Sequence, residues 1–453
     1  MRRRQFVSRA AQTAAFVSTG ALTAGGAAGA NQRVHVGLIG CGGRGMLVAK
    51  AMRQVPGVEF VAVCDVYEPR AEAARQWAGP RCSRYADFRK LLDLKPLDAV
   101  LVATPDHWHA IPTVLACQAG KDVFVEKPLA HNVREGRAMV DAARRHGRIV
   151  QAGLQHRSAG HYRQAERIVR AGQLGRVHFV RIWNYANMFP AGIGKAADSQ
   201  PPPGVDWDFY LGPAPYVPFN KNRFVNTYRW FWDYGGGMLT DYGTHRFDSL
   251  HQVMGVDAPR SVTASGGRYA LDDGGQTPDV VQVTYEYPGF ILSYEACTLN
   301  AHGTGGRTPG RSYYQARAQH DRPHGEAFYG TNGTLLSDRL GFEVHPELKP
   351  AQEHAGKDPA ASPGLRMAPL EASGRDATDL LAEDFIECVR SRKRPVADVE
   401  IAHRATIVGH LGNIAYRTGR KIRWDAAQEQ IVGDPQAAEL LGRKPRPPWD
   451  KIL

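Results

Sequence analysis

Three side chains in this sequence could manage the proton of an alcohol. Lys127 stands in Glu126-Lys127-Pro128, at the end of a short apolar run. An amine there can hydrogen-bond a hydroxyl and exchange its proton, with Pro128 fixing the turn that aims it. A Lys-Pro pair at a strand end also occurs as plain surface punctuation. Asp241 and His245 follow a triple glycine in Gly235-Gly236-Gly237-Met238-Leu239-Thr240-Asp241-Tyr242-Gly243-Thr244-His245. Four residues apart on a helix, they share a face. A carboxylate beside an imidazole orients it and raises its basicity. The same pair can also be an i,i+4 hydrogen bond that only supports the helix. Just upstream, Tyr228-Arg229-Trp230-Phe231-Trp232 reads either as core aromatics or as a sugar-stacking wall with Arg229 clamping a hydroxyl.

Chemistry of this kind needs a redox partner, and the stretch from Val34 to Asp65 is built to hold one. An apolar run from Val34 to Ile39 enters Gly40-Cys41-Gly42-Gly43-Arg44-Gly45, and a helical pattern follows. A second apolar run, Phe60 to Cys64, ends in Asp65, twenty residues after the last glycine. Strand, glycine turn, helix and acid-capped strand together point to a dinucleotide. Gly40 permits the tight turn, Gly42 lets backbone amides approach a pyrophosphate, and Gly45 lets helix and strand pack closely. The diphosphate would lie on the helix N-terminus, where free N–H groups and the dipole favour an anion. Asp65 suits both hydroxyls of an adenosine ribose, which favours NAD. Arg70 keeps NADP open, since a cation can receive a 2′-phosphate.

The elements that must position these groups alternate. Short apolar strands at 98–103, 122–125 and 149–152 are separated by helical patterns at 107–119 and 133–146. This predicts a doubly wound parallel sheet covered on both faces. Ligands bind outside the carboxyl ends of such strands. That rule gathers Gly40, Asp65, Thr104-Pro105, Glu126-Lys127-Pro128 and Gln155 along one edge, with His109 beside them. Asp106-His107-Trp108-His109 lacks a third ligand at useful spacing, so no metal site is expected. Past residue 153 the pattern becomes α+β, with an open, mostly antiparallel sheet. An irregular stretch runs from Met188 to Thr227, one helix from about Thr240 to Met254, and two amphipathic helices over 378–392 and 403–418. Residues 346–376 read as an exposed loop. The expected division is 1–30 leader, 31–155 dinucleotide-binding domain, 156–435 substrate and oligomerisation domain, and 436–453 tail.

With 453 residues, 43% hydrophobic and 23% charged, the chain has the composition of a globular protein of two or three domains. Its net charge of +12 includes Arg2, Arg3, Arg4 and Arg9, in a leading segment without acids. The other basic residues form no block, so the charge reads as a solvated surface and no nucleic-acid partner is expected. Arg3-Arg4-Gln5-Phe6-Val7, the apolar region Ala10–Leu22 and Ala28-Gly29-Ala30 together read as a twin-arginine export signal. This predicts the export machinery as a partner and a periplasmic or extracytoplasmic location. No later apolar run reaches the roughly 18 residues needed to span a bilayer, so no stable membrane insertion is expected. The six cysteines form no CxxC or zinc spacing and read as free, buried thiols.

The motifs together resemble the Gfo/Idh/MocA oxidoreductase family. The likeness rests on GLIGCGGRG at 37–45, VCDV at 63–66, ATPDHWH at 103–109, AGKDVFVEKPLA at 119–130 and GLQHR at 153–157. It continues through GGGMLTDYGTHRFD at 235–248, FYGTNGTL at 328–335 and NIAYRTGRKIRWD at 413–425. It implies a Rossmann domain, then an α/β domain with an open sheet that often mediates oligomerisation. The family's catalytic lysine, aspartate and histidine fall on Lys127, Asp241 and His245. Cofactor contacts are expected from Gly40, Gly42, Gly43, Arg44, Gly45, Asp65, Thr104, Pro105, His109, Glu126, Lys127 and Gln155. Substrate contacts are expected from Lys127, Arg157, Arg229, Trp230 and His245. The implied activity is NAD(P)-dependent oxidation of a secondary hydroxyl on a sugar, polyol or glycoside. Export with a folded cofactor would require NAD to be tightly bound and recycled in place. The alternatives are a redox-neutral glycosidase, lyase or epimerase working through a transient keto-sugar, and a non-catalytic NAD-binding sensor.

Overall fold

Six short strands, nearly all apolar, form the first sheet: β1 (Val34–Ile39), β2 (Val58–Cys64), β3 (Ser83–Tyr85), β4 (Ala99–Val102), β5 (Asp122–Val125) and β6 (Val150–Ala152). All pair in parallel in the order β3-β2-β1-β4-β5-β6. Strands β4 and β5 are buried at every position, as strands covered on both faces must be. The covering helices are α1 (Gly43–Arg53), α2 (Glu68–Ala78), α3 (Phe88–Leu92), α4 (Ala110–Gln118) and α5 (Val133–Arg145). The register aligns Ile39 with Cys64 and with Val102, and Val102 with Val125. The loops after β1, β2, β4 and β5 therefore leave the sheet on one edge. The computed structural model describes residues 33–301, 322–350 and 364–452; the leader at 1–30 lies outside the described residues.

The second domain begins with α6 (Gly160–Arg170) and β7 (Val177–Asn187), followed by an excursion that includes α7 (Trp207–Leu211). Then come α8 (Gly237–Asp241), α9 (Gly243–Met254), β8 (Ser261–Gly267), β9 (Val280–Tyr287), β10 (Phe290–Cys297) and β11 (Leu299–Asn300). Strands β12 (His324–Gly330), β13 (Gly333–Asp338), β14 (Gly341–Pro346) and β15 (Leu370–Ser373) precede α10 (Thr378–Ser391) and α11 (Val399–Thr418). Last are β16 (Ile422–Asp425) and β17 (Gln430–Ile431). The sheet runs β15-β14-β13-β12-β7-β10-β9-β8-β16-β17, with β11 on β7. Within this sheet, among the described residues, only β7 and β10 pair in parallel. The stretch 346–376, expected to be loop, contributes β15, which pairs with β14.

Two large cores result. The first lies around the parallel sheet and the second between the mixed sheet and α9 and α11. The chain's late segments also serve the first core. Leu381, Ala382, Phe385 and Ile386 of α10 are buried in it, with the Phe385 ring 5.7 Å from Phe124. Trp449, from the segment read as a tail, sits edge-on to Trp108 at 4.7 Å. The six cysteines are free thiols, and all but Cys297 are buried.

Candidate active site

The glycine turn meets the second domain across an open cleft. Gly40, Gly42, Gly43, Arg44, Asp65, Thr104, Pro105, His109, Glu126, Lys127, Arg229 and Asp241 all line it. Gly40 has φ +93°, and a Cβ there would lie 2.5 Å from the Ala103 carbonyl oxygen, so only glycine fits. Helix α1 starts behind Gly42 with no capping side chain and no acid in its first turn. A Cβ on Gly43 would meet nothing within 4 Å. Open space in front of uncapped N–H groups is what a diphosphate requires. Asp65 is held beside it: its carboxylate accepts from the Cys41 N–H at 2.7 Å and the Tyr67 N–H at 2.9 Å. Arg70 lines the same part of the cleft. These residues fit a dinucleotide.

At the other end, Lys127 Nζ donates to the Asp241 carboxylate at 2.5 Å and to the Asp241 carbonyl at 3.0 Å. The second Asp241 oxygen faces Arg229 Nε at 2.9 Å. Burial by itself would raise the Asp241 carboxyl; Arg229 and Lys127 outweigh it and hold it down to about 2. One carboxylate is thus shared by two cations and offsets only one of their charges. His245 is 5% exposed, and its Nδ1 has no hydrogen-bond partner among the described residues. Burial, then the charges of Lys127 and Arg339, push its imidazole well below the ordinary histidine range. The ring is therefore uncharged near neutral pH. Its ring stacks on His156, centroids 5.0 Å apart.

Asp241 does not orient His245, contrary to the expectation from their spacing. The expected continuous helix is interrupted at Tyr242, between α8 and α9, and both Asp241 oxygens are committed to Lys127 and Arg229. Glu126 accepts from Arg44 Nε at 2.7 Å, joining α1 to the loop after β5. Arg44 also reaches the Gln155 side chain at 3.5 Å, which keeps Gln155 behind this pair, outside the cleft wall. Gly45 lies behind the wall too: a Cβ there would be 2.2 Å from the Gly40 carbonyl oxygen, so it serves close packing. His109 lines the cleft, but its two ring nitrogens face backbone carbonyls, Pro128 at 2.7 Å and Thr104 at 2.9 Å, and its N–H donates to one of them. It ties two cofactor-edge loops together.

Three expected substrate residues lie outside the cleft lining: His245 borders a small neighbouring pocket with Tyr242, Arg246, His324 and Arg339, and Arg157 and Trp230 are turned elsewhere. Arg157 donates to Asp248 at 2.7 Å, because that fully buried carboxylate requires a cation. Trp230 turns into a side pocket with Arg268, Leu271 and Thr277, while its neighbour Arg229 faces the cleft. Sequence reasoning placed Tyr228 in a possible aromatic wall but missed its contact with Asp106, and it missed Phe209, Tyr210 and Phe224. Tyr228 OH donates to Asp106 at 2.8 Å across the two domains, and Phe209, Tyr210 and Phe224 line the cleft from the excursion. The only signal for these was aromatic content in a stretch without periodicity. Among the described residues no group of three or more His, Cys, Asp or Glu could hold a metal ion, and no helix is long and apolar enough to cross a membrane.

Residues 34–154 match the Gfo/Idh/MocA family model described as an oxidoreductase family with an NAD-binding Rossmann fold. Residues 162–294 and 373–451 match its C-terminal alpha/beta domain. The chain is 25% identical over 407 residues to scyllo-inositol 2-dehydrogenase (NAD(+)) of Bacillus subtilis, covering 87% of this chain and 97% of that one. It is 34% identical over 139 residues to inositol 2-dehydrogenase of Salmonella typhimurium, covering 30% of this chain and 41% of that one. Among several curated relatives the match spans about half of their length, 55% at most in one case and 41% in others. A solved structure of levoglucosan dehydrogenase with NADH and levoglucosan superposes with a TM-score of 0.59 at 19% identity, over 86% of this chain and 99% of that one, and so shares its fold. With both of its domains matched in order, this chain belongs to the Gfo/Idh/MocA oxidoreductase family.

Proposed function

We propose that this chain oxidises a secondary hydroxyl of a sugar, polyol or glycoside, with NAD held in the interdomain cleft. The observation that carries the reading is the Lys127–Asp241 contact of 2.5 Å in the same cleft as the glycine turn and Asp65. When bound, the nicotinamide supplies a hydride acceptor. The neutral His245 takes the hydroxyl proton as the carbon is oxidised. Lys127, fixed by Asp241, donates a hydrogen bond to the substrate oxygen and stabilises its developing negative charge. The excess positive charge of the Lys127–Asp241–Arg229 group acts in the same sense. The relatives named for inositol and levoglucosan support a polyol or sugar as substrate. A panel of polyols, free sugars and glycosides, followed by NADH absorbance, tests this; no NADH from any of them overturns it as a net dehydrogenase.

A second reading is supported by the way the cleft is walled on both sides. In that reading oxidation is transient and the substrate is eliminated or inverted before re-reduction. Aglycone release from aryl glycosides without added NAD, and with no net NADH, would select it. The leader at 1–30 supports a further proposal, twin-arginine export, tested by replacing Arg3 and Arg4 with Lys and measuring extracytoplasmic accumulation.

A further inference from the structure

The excursion between β7 and α8 does not stay with its own domain. At Gly204–Asp206 it lies along the end of β2: the Glu68 N–H donates to the Gly204 carbonyl at 2.8 Å and the Asp206 N–H to the Val66 carbonyl at 2.9 Å. Tyr67 and Val205 form an antiparallel bridge there. One turn on, Phe209 stacks on Trp108 at 5.4 Å, and Trp108 Nε1 donates to the Tyr210 carbonyl at 2.9 Å. Gly212 is pressed so close that a Cβ would fall 2.0 Å from the Trp108 ring. The excursion then crosses the cleft, where Tyr228 OH reaches Asp106 and Arg229 reaches Asp241. Between these anchors Val225 has φ +58°, a strained conformation for a β-branched residue that persists only when neighbours enforce it.

Phe209, Tyr210, Phe224, Val225 and Asn226 thus face the glycine turn and Asp65 from the opposite side of one cleft. Flat aromatic and aliphatic surface opposite a ribose-binding acid suits a purine. We propose that this excursion is the second wall of the adenosine site, and that the dinucleotide leaves only when the wall detaches. Opening of this wall then limits the rate at which reduced dinucleotide is exchanged for oxidised. This rests on the dinucleotide reading above and adds which residues retain it.

The test uses the full chain loaded with NAD, and measures exchange of the bound dinucleotide against excess isotopically labelled NAD by mass spectrometry of acid-released nucleotide. The wild type should hold its dinucleotide through gel filtration. Tyr228→Phe, which removes only the oxygen that reaches Asp106, should speed exchange about ten-fold, the scale of one lost hydrogen bond to a buried carboxylate. Phe209→Ala should speed it further; if that variant does not fold, Tyr228→Phe carries the test. Exchange as fast in the wild type as in Tyr228→Phe would overturn the retaining wall and leave the dinucleotide reading intact. A wild-type chain that takes up no dinucleotide would overturn the reading beneath it.

Discussion

The Lys127 amine and the Asp241 carboxylate lie 114 positions apart in the chain and 2.5 Å apart in the fold. Lysine comes from the loop after β5, aspartate from the end of α8, and the triple glycine makes their meeting possible. A Cβ on Gly236 would strike Asn413 and Thr240 at 2.6 Å, and Gly237 has φ +60° with Thr277 at 2.9 Å. A larger residue at either position would collide with Thr240, Thr277 or Asn413 of the second domain and displace the start of α8.

Replacing Lys127 with Ala should leave dinucleotide uptake unchanged and lower turnover by about 10²–10⁴-fold, the usual contribution of a positioned proton-handling group. Absorbance of retained dinucleotide and initial rates on the best substrate measure the two effects separately. Undiminished turnover would remove lysine from the mechanism.

Asp241→Asn leaves Lys127 and Arg229 facing each other without an anion. Loss of one partner of a buried pair typically costs about 3–5 kcal/mol. A urea melt should show a destabilisation of that order, and Lys127→Met in the same chain should restore part of it. Strict additivity of the two changes would mean the groups do not interact.

Gly45→Ala and Gly43→Ala should separate packing from binding. At 45 the new methyl would sit 2.2 Å from the Gly40 carbonyl oxygen, so overpacking should destabilise the fold by about 1–3 kcal/mol. At 43 it meets no protein atom within 4 Å, so the melting temperature should hold while NAD affinity falls. Calorimetry of the apo and NAD-loaded forms distinguishes the two variants.

Acid should destabilise the protein between pH 6.5 and 4. Burial pushes His107 and His251 down to about 3, His410 to about 4, and His131, His156, His245 and His324 well below the ordinary value. The unfolded chain protonates these imidazoles near 6.5 and the folded chain does not, so their stabilisation is present above 6.5 and lost as pH falls. For His107, His251 and His410 this amounts to at most about 1.4 kcal/mol per pH unit in that window, and the other four act in the same direction. Glu326, raised to about 7 by burial, works in the opposite sense, as do Asp65, Asp106, Asp248 and Asp384, and the histidines outnumber them. A urea midpoint that stays level from pH 6.5 to 4 would contradict this balance.

Local patterns carried much of this protein. The glycine turn with Asp65, the apolar strands β4 and β5, and Lys127 at a strand end are each legible over a few residues, because turn stereochemistry and burial act at short range. The pairing of Asp241 was not legible. Four-residue spacing pointed to His245, whereas its two oxygens went to Lys127 and Arg229, since a buried carboxylate takes the nearest cations whatever their place in the chain. Arg157 was drawn to Asp248 for the same reason. The excursion gave no periodic signal at all, because its hydrogen bonds and aromatic contacts are made to the other domain. Short-range chemistry determined the parts of the site, and only long-range packing decided which of them touch.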